Sequence, residues 1–344
     1  MDLTTPMLSR CVSARLVRGA LMLAALLAAG CSPYKFAGDQ IMKLGKKVIV
    51  PHELAGSDLG IGCRAATAWA APGMAFERVG TDVNQMSVLL LVTAGVCTEV
   101  DAVEYELAYL RAAHAQNPLA AQDARAEQKR AHALAARRQY DGYLRFMKHY
   151  RNPAEGKCPK LRTDFDELVF LVGLLGGVQA VINDAQASQT VNVPRDIAPL
   201  VGHLSECVDS DKWWDLPLAV RAAMWSILPM LAPPDVEPAK ILEEVAHRGE
   251  REGVRLGHVV WAMSAWSGGD KATTRRAIRD FAQAGTRFTP NQEYRILDTI
   301  AGEIMLTISD RMWTEAVGHR TPMNGLGTFW DDTPAILPNV DDLL

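Results

Sequence analysis

Residues able to do chemistry are few and scattered in this chain. Cys63, Cys97, Cys158 and Cys207 can pair into two disulfides if the compartment is oxidising. Eight histidines occur without i,i+4 pairing; His247 and His258 sit on neighbouring predicted helices that can face each other. Two imidazoles alone make a poor metal site, because zinc takes three or four protein ligands, so no metal is assigned. No H-E-x-x-H, C-x-x-C, G-x-S-x-G or Walker-type loop occurs. The segment "EAVGHRTPMNGLGTFWDD", residues 315 to 332, combines His319, Arg320, flexible glycines, Phe329, Trp330 and two acids. It fits a catalytic lid, or an irregular tail stapled to the core by Phe329 and Trp330. The staple is favoured, since no nucleophile–base pair can be named. The pattern points to a non-enzyme without a cofactor.

The compartment is written at the start of the chain. Arg10, Arg15 and Arg18 precede an apolar run from Gly19 to Ala29, the layout of a secretory signal. That run falls short of the roughly 20 residues a membrane-spanning helix needs. It ends in Ala28, Ala29, Gly30 and Cys31, which resembles the lipobox of bacterial lipoproteins. The resemblance implies cleavage before Cys31, a diacylglycerol on its thiol and an acylated amino group. Ser32 stands where an aspartate commonly retains such proteins in the inner membrane, which implies the periplasmic face of the outer membrane, with its lipid as a partner. Residues 1–30 are thus read as signal and 31–56, mixed in Gly, Lys and Pro, as a tether. Without the signal, 33 basic and 39 acidic side chains leave a net charge of −6, an ordinary soluble balance that excludes an electrostatic nucleic-acid partner.

The elements that must position these residues are helical throughout. Helical periodicity covers about 58–79, 83–115, 119–150, 164–187, 195–207, 216–231, 238–250, 253–267, 270–285 and 290–317. Ser57 is the expected cap of the first. Thr289, Pro290 and Gln292 carry a capping-box signature for the last. The fold class is all-α, consecutive helical hairpins over 57–318, followed by an irregular tail over 319–344. No second stretch reads as membrane-spanning; Leu168 to Ile182, interrupted by Gln179, reads as a buried helix. Residues 257–285, with Trp266, Gly269, Asp270 and an offset Ala277, resemble a degenerate tetratricopeptide unit, and a plain helical hairpin fits them almost as well.

Helix geometry then chooses among cysteine pairings. Reflecting Cys63 through the turn at Gly80-Thr81-Asp82 lands near residue 99, so Cys63–Cys97 is the expected bridge. Cys158–Cys207 follows by elimination. Two features point to a ligand. Gly173, Gly176, Gly177 and Ala180 line one side of the 164–187 helix, either admitting a neighbouring helix or leaving room for an apolar molecule. Seven of eight tryptophans follow residue 212, and Trp225, Trp261 and Trp266 suit either a cavity lining or a core. The 119–150 helix carries Arg125, Lys129, Arg130, Arg137, Arg138, Arg145 and Lys148, either a dock for an acidic partner or a solvated face.

The lipobox, the helical hairpins and the stretches "DLGIGC", "FERVG", "RAHALAARRQY" and "DRMWTEAVGHRTP" resemble the T-component lipoproteins of tripartite ATP-independent periplasmic (TRAP) transporters. Lipid- or sterol-carrying periplasmic lipoproteins have a similar layout. The resemblance implies a periplasmic partner, a solute-binding or transporter protein, and an apolar pocket. The expected function is a membrane-anchored carrier or transport accessory for an apolar ligand such as a lipid. A tetratricopeptide-like scaffold without a small ligand is the alternative.

Overall fold

Cap chemistry starts several of the helices where the sequence places a short polar side chain. In the computed structural model, which describes residues 32–153 and 157–332, every regular element is helical. Cys31 and the segment expected to be a signal lie outside the described residues. The chain runs α1 (Pro33–Leu44), a wider π turn (Gly45–Ile49), α2 (Val50–Leu54), α3 (Leu59–Ala75), α4 (Asn84–His114), α5 (Pro118–His149), α6 (Asp164–Gln186) and α7 (Ile197–Leu204). It continues through α8 (Leu216–Ile227), α9 (Pro238–Glu252), α10 (Leu256–Ser267), α11 (Lys271–Gly285) and α12 (Arg295–Val317). Consecutive helices pack side by side as an all-α bundle.

The segment expected to be an irregular tether is folded. Residues 33–54 are helical and dock on the α3–α4 corner. Gly38 lies against Thr81 and Phe76, and Gly45 against Met86. Seven residues apart, these glycines share a face, so the composition that reads as flexibility instead lets one backbone sink against another. Asp58, rather than Ser57, caps α3, accepting from Ile61 N at 3.0 Å. Pro72 does not break α3, which continues to Ala75. Cys63 and Cys97 stand level across the α3–α4 hairpin, bonded with their Cα atoms 5.6 Å apart. Cys158 and Cys207 form the second disulfide, Cα atoms 5.2 Å apart, tying the segment ahead of α6 to the end of α7.

The longest hairpin, α4 with α5, turns at Gln116, whose φ is 56°. Asn117 then caps α5 by accepting from Ala120 N, with Pro118 in the first turn. At 1.5 Å per residue, α5 is about 48 Å long. Across this hairpin lies α6, begun by Thr163, whose Oγ1 accepts from Asp166 N at 3.1 Å. Asp164, Asp166 and Glu167 occupy its first turn, where the helix dipole favours carboxylates. By length and composition both α4 and α6 could cross a membrane, which the sequence reading does not anticipate for α4. In the bundle they are core helices: Val88, Val92, Val169, Phe170 and Leu174 are buried in one shared cluster.

A second core is built from α8 to α12, around Trp261, Ile278, Phe281, Met305, Ile308 and Met312. Here the capping box at Thr289 does not form, and α12 begins only at Arg295. Asn291 N donates instead to Gly253 O at 2.9 Å. Gly253 has φ +86°, and a Cβ there would lie 2.6 Å from Asn291 N. A tertiary backbone contact thus takes the residues that local capping would have used.

Packing at the glycines gives opposite expectations for two substitutions. Gly173→Leu forces a side chain into Phe146 and should destabilise by about 1–3 kcal/mol. Gly302, inside α12, has nothing within 4 Å of a built Cβ, so Gly302→Ala should stabilise by about 0.5–1 kcal/mol. Urea unfolding followed by circular dichroism reads both, and equal effects at the two sites would contradict the packing.

Candidate functional site

The residues expected to line an apolar pocket are instead in contact with core side chains. A Cβ on Gly173 would meet Phe146, one on Gly176 would come 2.5 Å from Val92, and one on Gly177 2.6 Å from Tyr143. The small face of α6 therefore admits α4 and α5 and is filled by their side chains. Trp261 is 1% exposed and belongs to the second core, while Trp225 and Trp266 are half-buried against it. Arg276 lies over the Trp261 ring at 5.1 Å. Trp213 and Trp214 cluster with Tyr294, and the Trp213 indole donates to Glu167 at 2.7 Å, joining the start of α6 to the second half.

Several cations of α5 are engaged within the molecule. Arg145 and Lys148 both bond Glu77, at 2.5 and 2.6 Å. Arg138 donates to Thr98 Oγ1 at 2.5 Å and Ala94 O at 3.1 Å, and Arg130 pairs with Glu127. Arg125 bonds Gln128 and lies over the Tyr109 ring. Among the described residues Lys129 and Arg137 make no ion pair. A shallow open groove lined by Tyr109, Pro118, Arg125 and Lys129 marks the closed end of the hairpin.

Two polar clusters escape the sequence reading. The first crosses α4, α5 and α6. Glu99 accepts from Gln139 Nε2 at 2.6 Å and from Asn183 Nδ2. Asn183 also donates to Gln139 Oε1 at 2.8 Å, and its Oδ1 meets His132 Nδ1 at 2.6 Å. Burial raises the Glu99 carboxyl above its ordinary value despite these donors, and burial lowers His132. Glu99, Gln139, Asn183 and His132 are linked in one hydrogen-bonded chain across three helices, which favours the meeting of these helix faces. Its signal in the sequence is faint: one asparagine and one glutamine on otherwise apolar helix faces.

The second cluster lies in the α8–α12 half. His247 and Glu250, three residues apart on α9, face His258 on α10, and one ligand atom from each lies within 4.8 Å of the others. The two imidazoles meet edge to face with centroids 6.1 Å apart. Burial, then the neighbouring His247 and Arg255, push His258 down to about 3. The sequence reading names both histidines but not Glu250, whose signal was its place one turn after His247. Beside this cluster Arg255 grips Asp298 with two hydrogen bonds of 2.8 and 2.7 Å, between the rings of Phe281 and Phe288.

The tail packs as a staple. Phe329 is buried, Thr328 O accepts from the Trp313 indole at 3.1 Å, and Arg275 lies over both Phe329 and Trp330. Arg275 and Arg279 also pair with Asp331 and Asp332. His319 rests against Trp313, its Nδ1 beside Arg320 O. Residues 333–344 lie outside the described residues.

Compared with protein-family models, with curated proteins and with solved structures, the chain matches none of them.

Two stability measurements follow. Asp298→Ala leaves the Arg255 guanidinium buried without its carboxylate, a loss of about 3–5 kcal/mol, read from urea midpoints; a loss below 1 kcal/mol would contradict the burial. Lys148 and then Arg145 hold Glu77 down from 4.5 to about 2. The folded chain binds that proton more weakly than the unfolded one, so this stability is complete above about pH 4.5 and disappears as pH falls towards 2. Glu77→Gln should therefore be less stable than the parent at neutral pH and converge on it between those values. A gap constant with pH would count against the pairing.

Proposed function

We propose that the chain is a lipoprotein held on the periplasmic face of the outer membrane by an acylated Cys31. Its helical body acts there as a docking module for a periplasmic solute-binding or transporter protein. The observation that carries this reading is the outer face of α1 and the π turn, which begins two residues after Cys31. Phe36, Gln40, Leu44 and Val48 follow one another at i,i+4 spacing, and Lys43 and Lys47 flank them. Phe36 is 64% exposed, Leu44 51% and Val48 56%. Three exposed apolar side chains, interrupted by Gln40 and edged by lysines, suit the interface of an anionic bilayer, where each lysine contributes about 1 kcal/mol. Acyl chains on Cys31 would hold this face against the membrane, each buried CH₂ adding about 0.8 kcal/mol. Two disulfides suit the same compartment.

The α10–α11 hairpin, with Trp266 and the Gly269-Asp270 turn, supports a degenerate tetratricopeptide-like unit. The class of partner rests only on the sequence resemblance to TRAP-transporter T-component lipoproteins. Carriage of a lipid or sterol is the weaker reading, because Gly173, Gly176 and Trp261 face filled packing and not a void.

Palmitate labelling and fractionation of the producing bacterium should place the chain in the outer membrane, and Cys31→Ser should abolish the label. Soluble, unlabelled parent protein would overturn the anchor. On phosphatidylglycerol vesicles, the Cys31→Ser chain should bind about tenfold more weakly once Phe36, Leu44 and Val48 are changed to Asp. Unchanged binding would remove the membrane-facing role of α1. Organic extraction of the native protein should yield no stoichiometric apolar molecule; finding one would restore carriage over docking.

A further inference from the structure

We propose that His247, Glu250 and His258 form a binding site for a divalent transition-metal ion, with Zn²⁺ the best fit to the donor set. His258 is 0% exposed, and neither Nδ1 nor Nε2 has a hydrogen-bond partner. A buried polar group left unsatisfied costs about 1–3 kcal/mol, and the described structure offers no protein group that offsets it. The Phe281 ring, 5.9 Å away, packs against the imidazole without supplying a lone pair or a strong donor.

What the imidazole does face is a second imidazole and a carboxylate. His247 Nδ1 stands 3.7 Å from Glu250 Oε2, and the three possible ligand atoms lie within 4.8 Å of one another. Tetrahedral zinc with bonds of about 2.0–2.1 Å requires donors roughly 3.4 Å apart. The set must therefore contract by an ångström or so. The structure supplies the freedom on the correct side: the His247 and Glu250 side chains are 45% and 36% exposed, while His258 is fixed in the core. Rotation of two surface side chains about a rigid third ligand closes the set without moving a helix.

Local charge favours a cation. Glu250 supplies one negative charge, and Asp280 on α11 interacts electrostatically with His247. Arg255, the nearest buried cation, is already matched by Asp298. Two imidazoles with one carboxylate select borderline ions, whereas Mg²⁺ and Ca²⁺ prefer all-oxygen sets. Three protein ligands with a solvent-facing side leave a fourth position for water.

The test uses the full chain, stripped with a chelator and titrated with Zn²⁺ against a fluorescent competitor, with Mg²⁺ as control. One Zn²⁺ per chain should bind with Kd below about 10 μM, His247→Ala should weaken it at least about tenfold, and Glu250→Gln should weaken it measurably. Zn²⁺ should raise the Tm of the parent but not of His247→Ala. Both substitutions sit at the surface, so folding is checked by circular dichroism and the result does not rest on His258→Phe, which alters the core. Replacing Zn²⁺ with Co²⁺ should give the visible bands of a tetrahedral site. Binding no tighter than about 100 μM, or stoichiometric binding untouched by His247→Ala, would overturn the site. Neither result depends on whether Cys31 is acylated or α1 meets a membrane.

Discussion

The close approach of α6 to the α4–α5 hairpin is the constraint on which the first half of the molecule depends. Gly173, Gly176 and Gly177 give up side-chain volume so that Phe146, Val92 and Tyr143 can occupy it. Gly142 of α5 does the same for Val92 from the other side. Glycine in a helix interior costs about 0.5–1 kcal/mol relative to alanine, and the packed area it admits offsets that cost. Once α6 is seated, its capped start is in reach of Trp213 and Lys212, and α7 follows it closely enough for Cys207 to meet Cys158.

Apolar packing alone does not say which rotation of a helix is correct, and two polar arrangements supply that choice. In the first half the Glu99–Gln139–Asn183–His132 seam links its members by hydrogen bonds in the observed register. In the second, the bidentate pair of Arg255 and Asp298 fixes the entrance of α10 to the first turns of α12. The halves are then joined by ion pairs to α4, from Arg311 on α12 to Glu106 at 2.7 Å and from Arg320, just beyond α12, to Glu104. For the buried Arg255–Asp298 pair, desolvation offsets much of the attraction, so the intact pair contributes little net stability although breaking it is costly.

The surface divides the functional possibilities in the same way. The outer face of α1 carries exposed Phe36 and Leu44 beside Lys43, next to the proposed anchor, so the proposed membrane attachment and the helical body would meet at one corner. The His247–Glu250–His258 group belongs to the other half, among α9, α10 and α11. Its donor atoms are supplied by two helices whose relative position is set by the second core, with Gly257 close against the Ala246 backbone. The corner proposed to face a membrane and the imidazole–carboxylate cluster thus lie in different halves of the molecule.

Much of this was legible in the sequence, because helix period and caps are local properties. The all-α class, most helix spans and the level of Cys63 with Cys97 follow from 3.6-residue periodicity and a rise of 1.5 Å per residue. Local rules failed where a distant backbone competed for the same groups: at Thr289, whose neighbours pair with Gly253, and over 33–54, where glycines mark a contact and not a flexible tether. The glycine face of α6 and the late tryptophans were readable as small and large surfaces, but whether a surface borders a void or a neighbour is decided only when the helices assemble. The same holds for Glu250. Its spacing from His247 is in the sequence, yet the third donor, His258, reaches them only because α9 and α10 fold back against each other.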